Sequence, residues 1–244
     1  MTPPVSNKKP PGSQSAPAGL PTDDQVLERL LSQRFSCRGF LSTSVPQGTL
    51  DTILRLAQRT ASWCNSQPWQ AIVTSGEATV RFREAMSAAA AAGVPVAPDL
   101  PWPREYRGVY QQRRRETGFA LYESVGIAKG DRAASARQGL ENFRLFGAPH
   151  VAIITTDEAL GVYGAVDCGA YVANFMLAAQ SLGVASIAQA ALASYSTLVH
   201  DHFGISADRK IVCGISFGYA DPAHPANKFR TVRAGLEEAV QWAL

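Results

Sequence analysis

The spacing of apolar residues predicts two amphipathic helices at the start of the ordered chain. Thr22 and Gln25 have the spacing of a capping box, in which the two side chains satisfy free N–H groups at a helix start. A second helix is predicted to begin at Pro46, a residue that suits the first helical position, and to continue to Ala57. The helical pattern stops at Thr60, and a strand is predicted soon afterwards.

Four short apolar runs have the length of strands, and helical patterns lie between them. The strands are predicted over 70–74, 150–155, 184–188 and 211–219. Further helices are predicted over 77–92, 132–146, 165–182 and 195–203, and the chain closes with an amphipathic segment over 236–242. This order of elements indicates an α+β or α/β sandwich.

The segment over 93–115 interrupts the regular pattern for longer than any ordinary turn. Prolines exclude regular structure between Gly93 and Trp102, and arginines follow from Arg104 to Arg115. A connection of this length in a compact domain is often functional. Two interpretations remain open, namely a lid over a ligand and an exposed helical arm that carries charge.

Composition indicates a globular protein preceded by a tail. Of the 244 residues, 46% are hydrophobic and 18% are charged. Residues 1–20 include few large apolar side chains, so we expect a disordered tail there and one domain over 21–244. A net charge of +3 gives no indication of nucleic acid or a membrane surface as a partner. The absence of a signal-peptide pattern, of an apolar run of about 20 residues and of a CxxC pair favours a cytoplasmic protein with free thiols.

Several catalytic signatures are absent or misleading. Gly214 to Gly218 matches the GxSxG motif of serine hydrolases, but Ser216 lies inside an apolar run and no helix follows, so we interpret it as a strand residue. Neither GxGxxG nor GxxxxGK[ST] occurs. The histidines lack the spacing of metal ligands, so no metal site is predicted. All four are interpreted as surface residues, namely His150, His200, His202 and His224.

The segment Arg34-Phe-Ser-Cys-Arg38 has a pattern that suits an anion. On an extended backbone the side chains of Arg34, Ser36 and Arg38 lie on one face. Two guanidinium groups and a hydroxyl together can bind a phosphate, since arginine offers paired donors. A solvated basic turn explains the same residues equally well, so both interpretations remain open at this point.

Four segments together resemble the ordered signature of the FMN-dependent nitroreductase family. They are Arg34-Phe-Ser-Cys-Arg38, Ala61-Ser-Trp-Cys-Asn-Ser-Gln-Pro-Trp69, Leu182-Gly-Val-Ala-Ser-Ile-Ala-Gln-Ala-Ala191 and Asn227-Lys-Phe-Arg230. The resemblance covers roughly 22–244 and implies an α+β three-layer sandwich with a central, mostly antiparallel sheet flanked by helices. It also implies an intertwined homodimer with FMN at the subunit interface. The implied activity is reduction of nitroaromatics to nitroso compounds and hydroxylamines by NADH or NADPH in ping-pong hydride transfer.

The resemblance also assigns residues to the flavin. Arg34 and Ser36 correspond to residues that hold the phosphate and ribityl chain, and Arg38 to a basic residue beside the pyrimidine ring. Lys228 and Arg230 correspond to a basic pair that completes the phosphate site. The implied cofactor-binding residues are Arg34, Phe35, Ser36, Cys37, Arg38, Ser62, Trp63, Asn65, Gln189, Ala190, Ala191, Lys228 and Arg230.

Two of these groups have particular roles in the family. The residues from Ser62 to Asn65 correspond to the segment that the partner subunit lends to the flavin, and Ala190 and Ala191 to residues near flavin N5. No catalytic side chain is expected, because hydride passes through the flavin. The candidate walls of the substrate pocket are Trp63, Trp102 and Tyr106.

The chain departs from the family pattern at two places. Trp63 stands where many members have a serine or threonine, and Ala190-Ala191 stands where some have Glu-Gly. Substrate choice is therefore the part of the function that the resemblance defines least. Alternative functions are a flavoenzyme of the same fold with another substrate (a quinone or enone reductase, a dehydrogenase or a reductive dehalogenase) and a non-catalytic flavin-binding protein.

Overall fold

The computed structural model describes residues 20–243, so all but the last residue of the expected 1–20 tail lies outside the described residues. The helices are α1 (Asp23–Gln33), α2 (Gln47–Ala57), α3 (Glu77–Ala91), α4 (Gly108–Ser124), α5 (Arg132–Leu140), α6 (Gly161–Ser181), α7 (Ser196–Phe203) and α8 (Leu236–Ala239). The strands are β1 (Gln70–Thr74), β2 (His150–Asp157), β3 (Ala185–Gln189) and β4 (Arg209–Gly218).

The four strands form one sheet in the order β1-β2-β4-β3, and each pairing is antiparallel. β2 and β4 occupy the centre, and the first seven residues of β2 are buried. A register shift between Ile154 and Thr155 marks a bulge in the β2–β4 pair. The antiparallel sheet agrees with the expected fold class.

Helices cover both faces of this sheet. Alternate side chains of a strand point to opposite faces. Ala152 and Ile154 therefore pack with α2 and α6 in one hydrophobic cluster. Val151 and Ile153 pack with α3 and α7 in a second cluster. The result is a helix–sheet–helix sandwich, which confirms the predicted three layers.

Most predicted elements are present, with shifted ends. β1 has the predicted bounds, and α6 begins at Gly161, four residues before the prediction. Pro46 is the residue before α2 and not its first helical residue. The predicted helix over 132–146 ends at Leu140, and a short helical turn over Leu145–Gly147 follows. The part of 93–115 after Gly108 belongs to α4, which has no buried residue, as expected for an exposed helical arm.

The interpretation of the histidines as surface residues was wrong. His150 is buried in β2, where its Nε2 accepts a hydrogen bond from Val45 N at 2.9 Å and its Nδ1 lies 3.0 Å from Thr74 O. Burial lowers the pKa of His150, which favours the neutral ring that these contacts need. The other three histidines are half-buried.

Helix α6 is apolar enough to be compared with a membrane span. Within residues 20–243, the stretch over 158–181 is one helix that meets the length and composition of such a span. It packs against α2 and the sheet, however, and buries Cys168, Tyr171 and Phe175 in the core. The side of α6 that faces the sheet is therefore part of the core.

Asp99 anchors the proline-rich segment to the sandwich. Its Oδ2 accepts hydrogen bonds from Ile211 N at 2.8 Å and from His200 Nε2 at 2.9 Å. Its own N–H donates to Ser196 Oγ at 3.0 Å. Only 17% of the His200 side chain and 16% of the Asp99 side chain are exposed, so solvent screens this pair weakly.

Replacing Asp99 by alanine is expected to lower the free energy of unfolding by about 2 kcal/mol, because Ile211 N–H and the His200 ring lose their acceptor in a half-buried place. Urea unfolding measures the change. Asp51→Ala is the control, since Asp51 is exposed and its carboxylate accepts one hydrogen bond within the described part of the chain, from Gln47 Nε2. Equal losses in the two variants would show that Asp99 does not anchor the segment.

Candidate functional site

The segment 34–38 lies beside the edge strand β3. Ser36 forms a parallel bridge with Ser186, and Cys37 N donates to Ser186 O at 3.2 Å. The extended backbone turns Cys37 inward, where it is 0% exposed and burial raises the pKa of its thiol to about 11. The Cys37 thiol is therefore a core group, while its neighbours Ser36 and Arg38 face the other side.

Four arginines line one cavity next to this segment. The cavity has a volume of about 310 Å³. Its polar lining consists of Ser36, Thr231, Arg34, Arg38, Arg230 and Arg233, together with Ser32. Arg230 lies over the ring of Phe35, with its Cζ 3.9 Å from the ring centroid. Arg34, Ser36 and Arg38 therefore line one cavity together with Phe35, whereas Lys228 is exposed and does not line it.

Asn227 holds the C-terminal segment in place beside the first one. Its Oδ1 accepts from Arg38 N at 2.9 Å, and its Nδ2 donates to Gly39 O at 2.7 Å and to Asp221 O at 2.9 Å. The residue is buried, and both N–H groups of its amide donate a hydrogen bond. Sequence reasoning included Asn227 in a motif without giving it this positioning role.

Gly39 allows the ring of His224, in the C-terminal segment, to approach the backbone of the first segment closely. A Cβ at position 39 would overlap the imidazole ring of His224. His224 is itself held in a turn, because Asn227 N donates to His224 O at 3.0 Å. Glycine at this position therefore lets the His224 ring lie directly on the backbone that follows Arg38.

The arginines carry unbalanced positive charge. Within residues 20–243, no carboxylate lies within 4.0 Å of a charged nitrogen of Arg34, Arg38, Arg230 or Arg233. Burial lowers the pKa of Arg34, and the charge of Arg233 lowers it further; burial also lowers the pKa of Arg38. Partly desolvated cations without partners favour an anion, and several guanidinium groups together suit a phosphate.

The segment from Ser62 to Gln67 lies against α6, away from the arginine cavity. Trp63 N donates to Asp167 Oδ2 at 3.1 Å, and Ser62 Oγ accepts from Gln67 N at 2.9 Å. The Trp63 ring meets that of Tyr163 edge-on, with centroids 4.3 Å apart. None of the implied flavin residues Ser62, Trp63 and Asn65 lines the arginine cavity of its own chain.

This segment also has a strained backbone. Three of its residues have left-handed φ angles, with 51° at Cys64, 56° at Asn65 and 48° at Gln67. Such angles are uncommon for residues other than glycine and cost free energy. The hydrogen bonds to Asp167 and Ser62 hold the chain in this shape.

Ser216, the serine of the GxSxG match, lies in β4 and is hydrogen-bonded to the last residue of β3. Ser216 is a buried strand residue, as predicted, and its Oγ donates to Gln189 Oε1 at 2.5 Å. Gln189 Nε2 donates in turn to Asn142 O at 2.9 Å. Both side chains are therefore fully engaged inside the protein. Ala190 is exposed and Ala191 is half-buried, at the start of the turn after β3.

Two of the three predicted walls of the substrate pocket have ring contacts outside the arginine cavity. Trp63 contacts Tyr163, and Tyr106 lies beneath Arg114, whose Cζ is 5.2 Å from the ring centroid. Trp102 and Tyr106 are both exposed. In this chain the structure does not bring the three side chains into contact with the arginine cavity.

A second cavity, of about 330 Å³, lies on the other side of Arg38. Arg38 lines both cavities, and α5 supplies Arg137, Gln138 and neighbouring residues to the second one. A third cavity, of about 700 Å³, lies between α4 and α5. Ile127 lines both the second and the third cavity. Sequence reasoning missed the contribution of α5, because no motif marks it.

Comparison with known proteins agrees with the motifs. The model of the "Nitroreductase family" matches residues 31–219. Nitroreductase NfnB of Mycolicibacterium smegmatis is 38% identical over 227 residues, which are 91% of this chain and 96% of NfnB. The 4-nitrobenzoate reductase of Pseudomonas putida is 33% identical over 217 residues, which are 88% of this chain and 93% of that protein.

A solved structure has the same fold. The crystal structure of the FMN-dependent nitroreductase NfnB from Mycobacterium smegmatis in complex with NADPH superposes with a TM-score of 0.86 at 36% identity. The superposition covers 91% of this chain and 99% of that one. The chain therefore belongs to the nitroreductase family.

Proposed function

We propose that this protein is an FMN-dependent oxidoreductase that uses NADPH to reduce nitroaromatic compounds. The observation that carries the proposal is the cavity lined by four arginines, which have no carboxylate partner among residues 20–243. Membership of the family and the FMN- and NADPH-dependent structure of similar sequence support it. Four free cysteines are consistent with a cytoplasmic location, which is part of the proposal.

The residues of the arginine cavity fit the phosphate end of FMN. Arg34 and Arg230 would hold the phosphate, with Ser36 beside the ribityl chain. Arg38, which reaches from this cavity to the next, would lie at the pyrimidine edge and stabilise negative charge there. The flavin, when bound, supplies a carrier for two electrons between the nicotinamide and the nitro compound.

The overall reaction balances without a protein nucleophile. A nitroarene, NADPH and one proton give a nitrosoarene, NADP⁺ and water, and a second NADPH with a proton gives the hydroxylamine. The protein has to position the reactants and exclude water. Ser216 is not needed as a nucleophile, and its hydroxyl is already hydrogen-bonded to Gln189, which in turn bonds to Asn142. No side chain in the site needs to form a covalent bond to the substrate.

The proposed active unit is a homodimer. The surface of α6 away from the sheet is apolar, with 70% of Val162 and 60% of Val166 exposed. Exposed apolar residues that continue along a helix are typical of a protein interface. This surface adjoins the Trp63 segment, so a second copy that packs on α6 would receive Ser62 and Asn65 near its own arginine cavity. Each flavin site would then combine residues of two chains.

Reduced protein, mixed without oxygen with a panel of nitroarenes, is expected to return to the oxidised absorbance spectrum faster with the best nitro compound than with a quinone. Stopped-flow absorbance of the flavin measures the rates. Free reduced FMN at the same concentration is the control for reaction outside the protein. If a quinone or dioxygen reacts faster than every nitro compound, the nitroreductase assignment is wrong. If no acceptor reacts, the protein is a non-catalytic flavin binder.

Val166→Asp is expected to produce a monomer with FMN affinity reduced roughly tenfold or more, because a buried carboxylate opposes the interface. Sedimentation gives the mass, and fluorescence titration gives the affinity. Val94→Asp serves as the control, since Val94 is also exposed but lies in the loop after α3. A dimer with unchanged flavin affinity would refute the role of this helix face.

A further inference from the structure

We propose that the second cavity, lined by Arg38, Arg137 and His224, binds the anionic substituent of an aromatic substrate, so that the protein prefers nitroarenes with a carboxylate or similar anion. This inference rests on the proposed function, because the substituent would lie beside the site of nitro reduction. It names a specificity-determining residue, Arg137, that none of the sequence motifs includes.

The cavity is built from one face of α5. Ala134, Arg137, Gln138 and Glu141 follow the i, i+3, i+4, i+7 pattern and therefore lie on the same side of the helix. The start of α5 is fixed by Asp131, whose side chain accepts from Ala134 N at 2.8 Å. The face that carries Arg137 is thereby aimed at Arg38.

The charges around this cavity favour an anion. Arg38 and Arg137 contribute two cations, and Glu141 contributes one carboxylate. Glu141 is engaged with Arg144, whose Nη1 lies 3.4 Å from Glu141 Oε1. Within the described chain, Arg137 has no carboxylate within 4.0 Å. A bound carboxylate would therefore complete the pairing of the arginines.

His224 also borders the cavity. Its Nδ1 is buried and has no hydrogen-bond partner among residues 20–243. The ring is held in place from behind by Gly39 and by the turn that starts at Asp221, since His224 N donates to Asp221 O at 3.3 Å. The His224 ring therefore forms a fixed wall of the cavity beside Arg38.

The neighbouring cavity suits the apolar part of the same molecule. Ile127 borders both cavities, and beyond it lie the aromatic rings of Phe119 and Tyr122. A benzoate or similar ligand has an apolar ring, which matches the aromatic cavity, and an anionic end, which matches the cavity that Arg38 and Arg137 line. Arg38 borders the proposed flavin site as well, so the ring would remain close to the cofactor.

The first experiment compares 4-nitrobenzoate with 4-nitrobenzamide, which has a similar size and no charge. In Arg137→Gln, kcat/KM for the acid is expected to fall about tenfold through KM, while kcat/KM for the amide stays the same. Arg137→Lys is expected to recover part of the loss. Arg81→Gln is the control, because Arg81 is an exposed arginine on α3 that lines neither this cavity nor the two beside it.

A binding measurement separates this inference from the proposed function. The dissociation constant of 4-nitrobenzoate with the oxidised FMN-bound protein, obtained from the shift of the flavin spectrum, is expected to rise about tenfold in Arg137→Gln. Unchanged acid-to-amide selectivity together with an unchanged dissociation constant would overturn the inference. Weaker FMN binding in Arg137→Gln would also overturn it, because the cavity would then belong to the cofactor. A native protein that binds the acid but reduces no nitroarene would instead refute the proposed function.

Discussion

Positive charge that is partly buried and left without carboxylates is the constraint on which the site depends. Arg34 and Arg38 lose hydration when the chain folds, and the lowered pKa of each reflects that cost. Other interactions of the fold must offset the cost until an anion binds. Arg230 on Phe35 and the backbone acceptors of Arg38 and Arg230 provide part of the compensation. The positive charges that still lack an anionic partner can attract a negatively charged ligand.

The sandwich supplies the rigidity that keeps these cations together. The edge strand β3 aligns the segment 34–38, and Asn227 connects the C-terminal segment to it by two hydrogen bonds, with Arg38 N and Gly39 O. Two parts of the chain that are almost 200 residues apart in sequence (the hydrogen bond from Arg38 to Asn227 spans 189) are thus fixed in one place. The cavity is therefore preorganised, and a ligand need not order these segments when it binds.

Local patterns predicted what local interactions determine. The bounds of β1 followed from Pro68 and the apolar run after it, and the extended segment that carries Arg34, Ser36 and Arg38 lines one cavity. Long-range partners could not be predicted in this way. The hydrogen-bond partners of His150 are Val45 and Thr74, and His200 is hydrogen-bonded to Asp99. These partners lie 76 to 105 residues away in sequence, so no local pattern indicated them and both histidines were assigned to the surface. The same limit hid the role of Asn227 and the contribution of α5.

The measurement that tests the central claim most directly compares FMN with riboflavin, which lacks only the phosphate. The apoprotein is expected to bind FMN at least about 100-fold more tightly than riboflavin, since charge-assisted contacts of a phosphate contribute roughly 1.5–3 kcal/mol each. In Arg34→Ala the FMN affinity should approach that of riboflavin, while Arg29→Ala, on the exposed side of α1, should behave like the native protein. Equal affinities of the native protein for FMN and riboflavin would contradict the account.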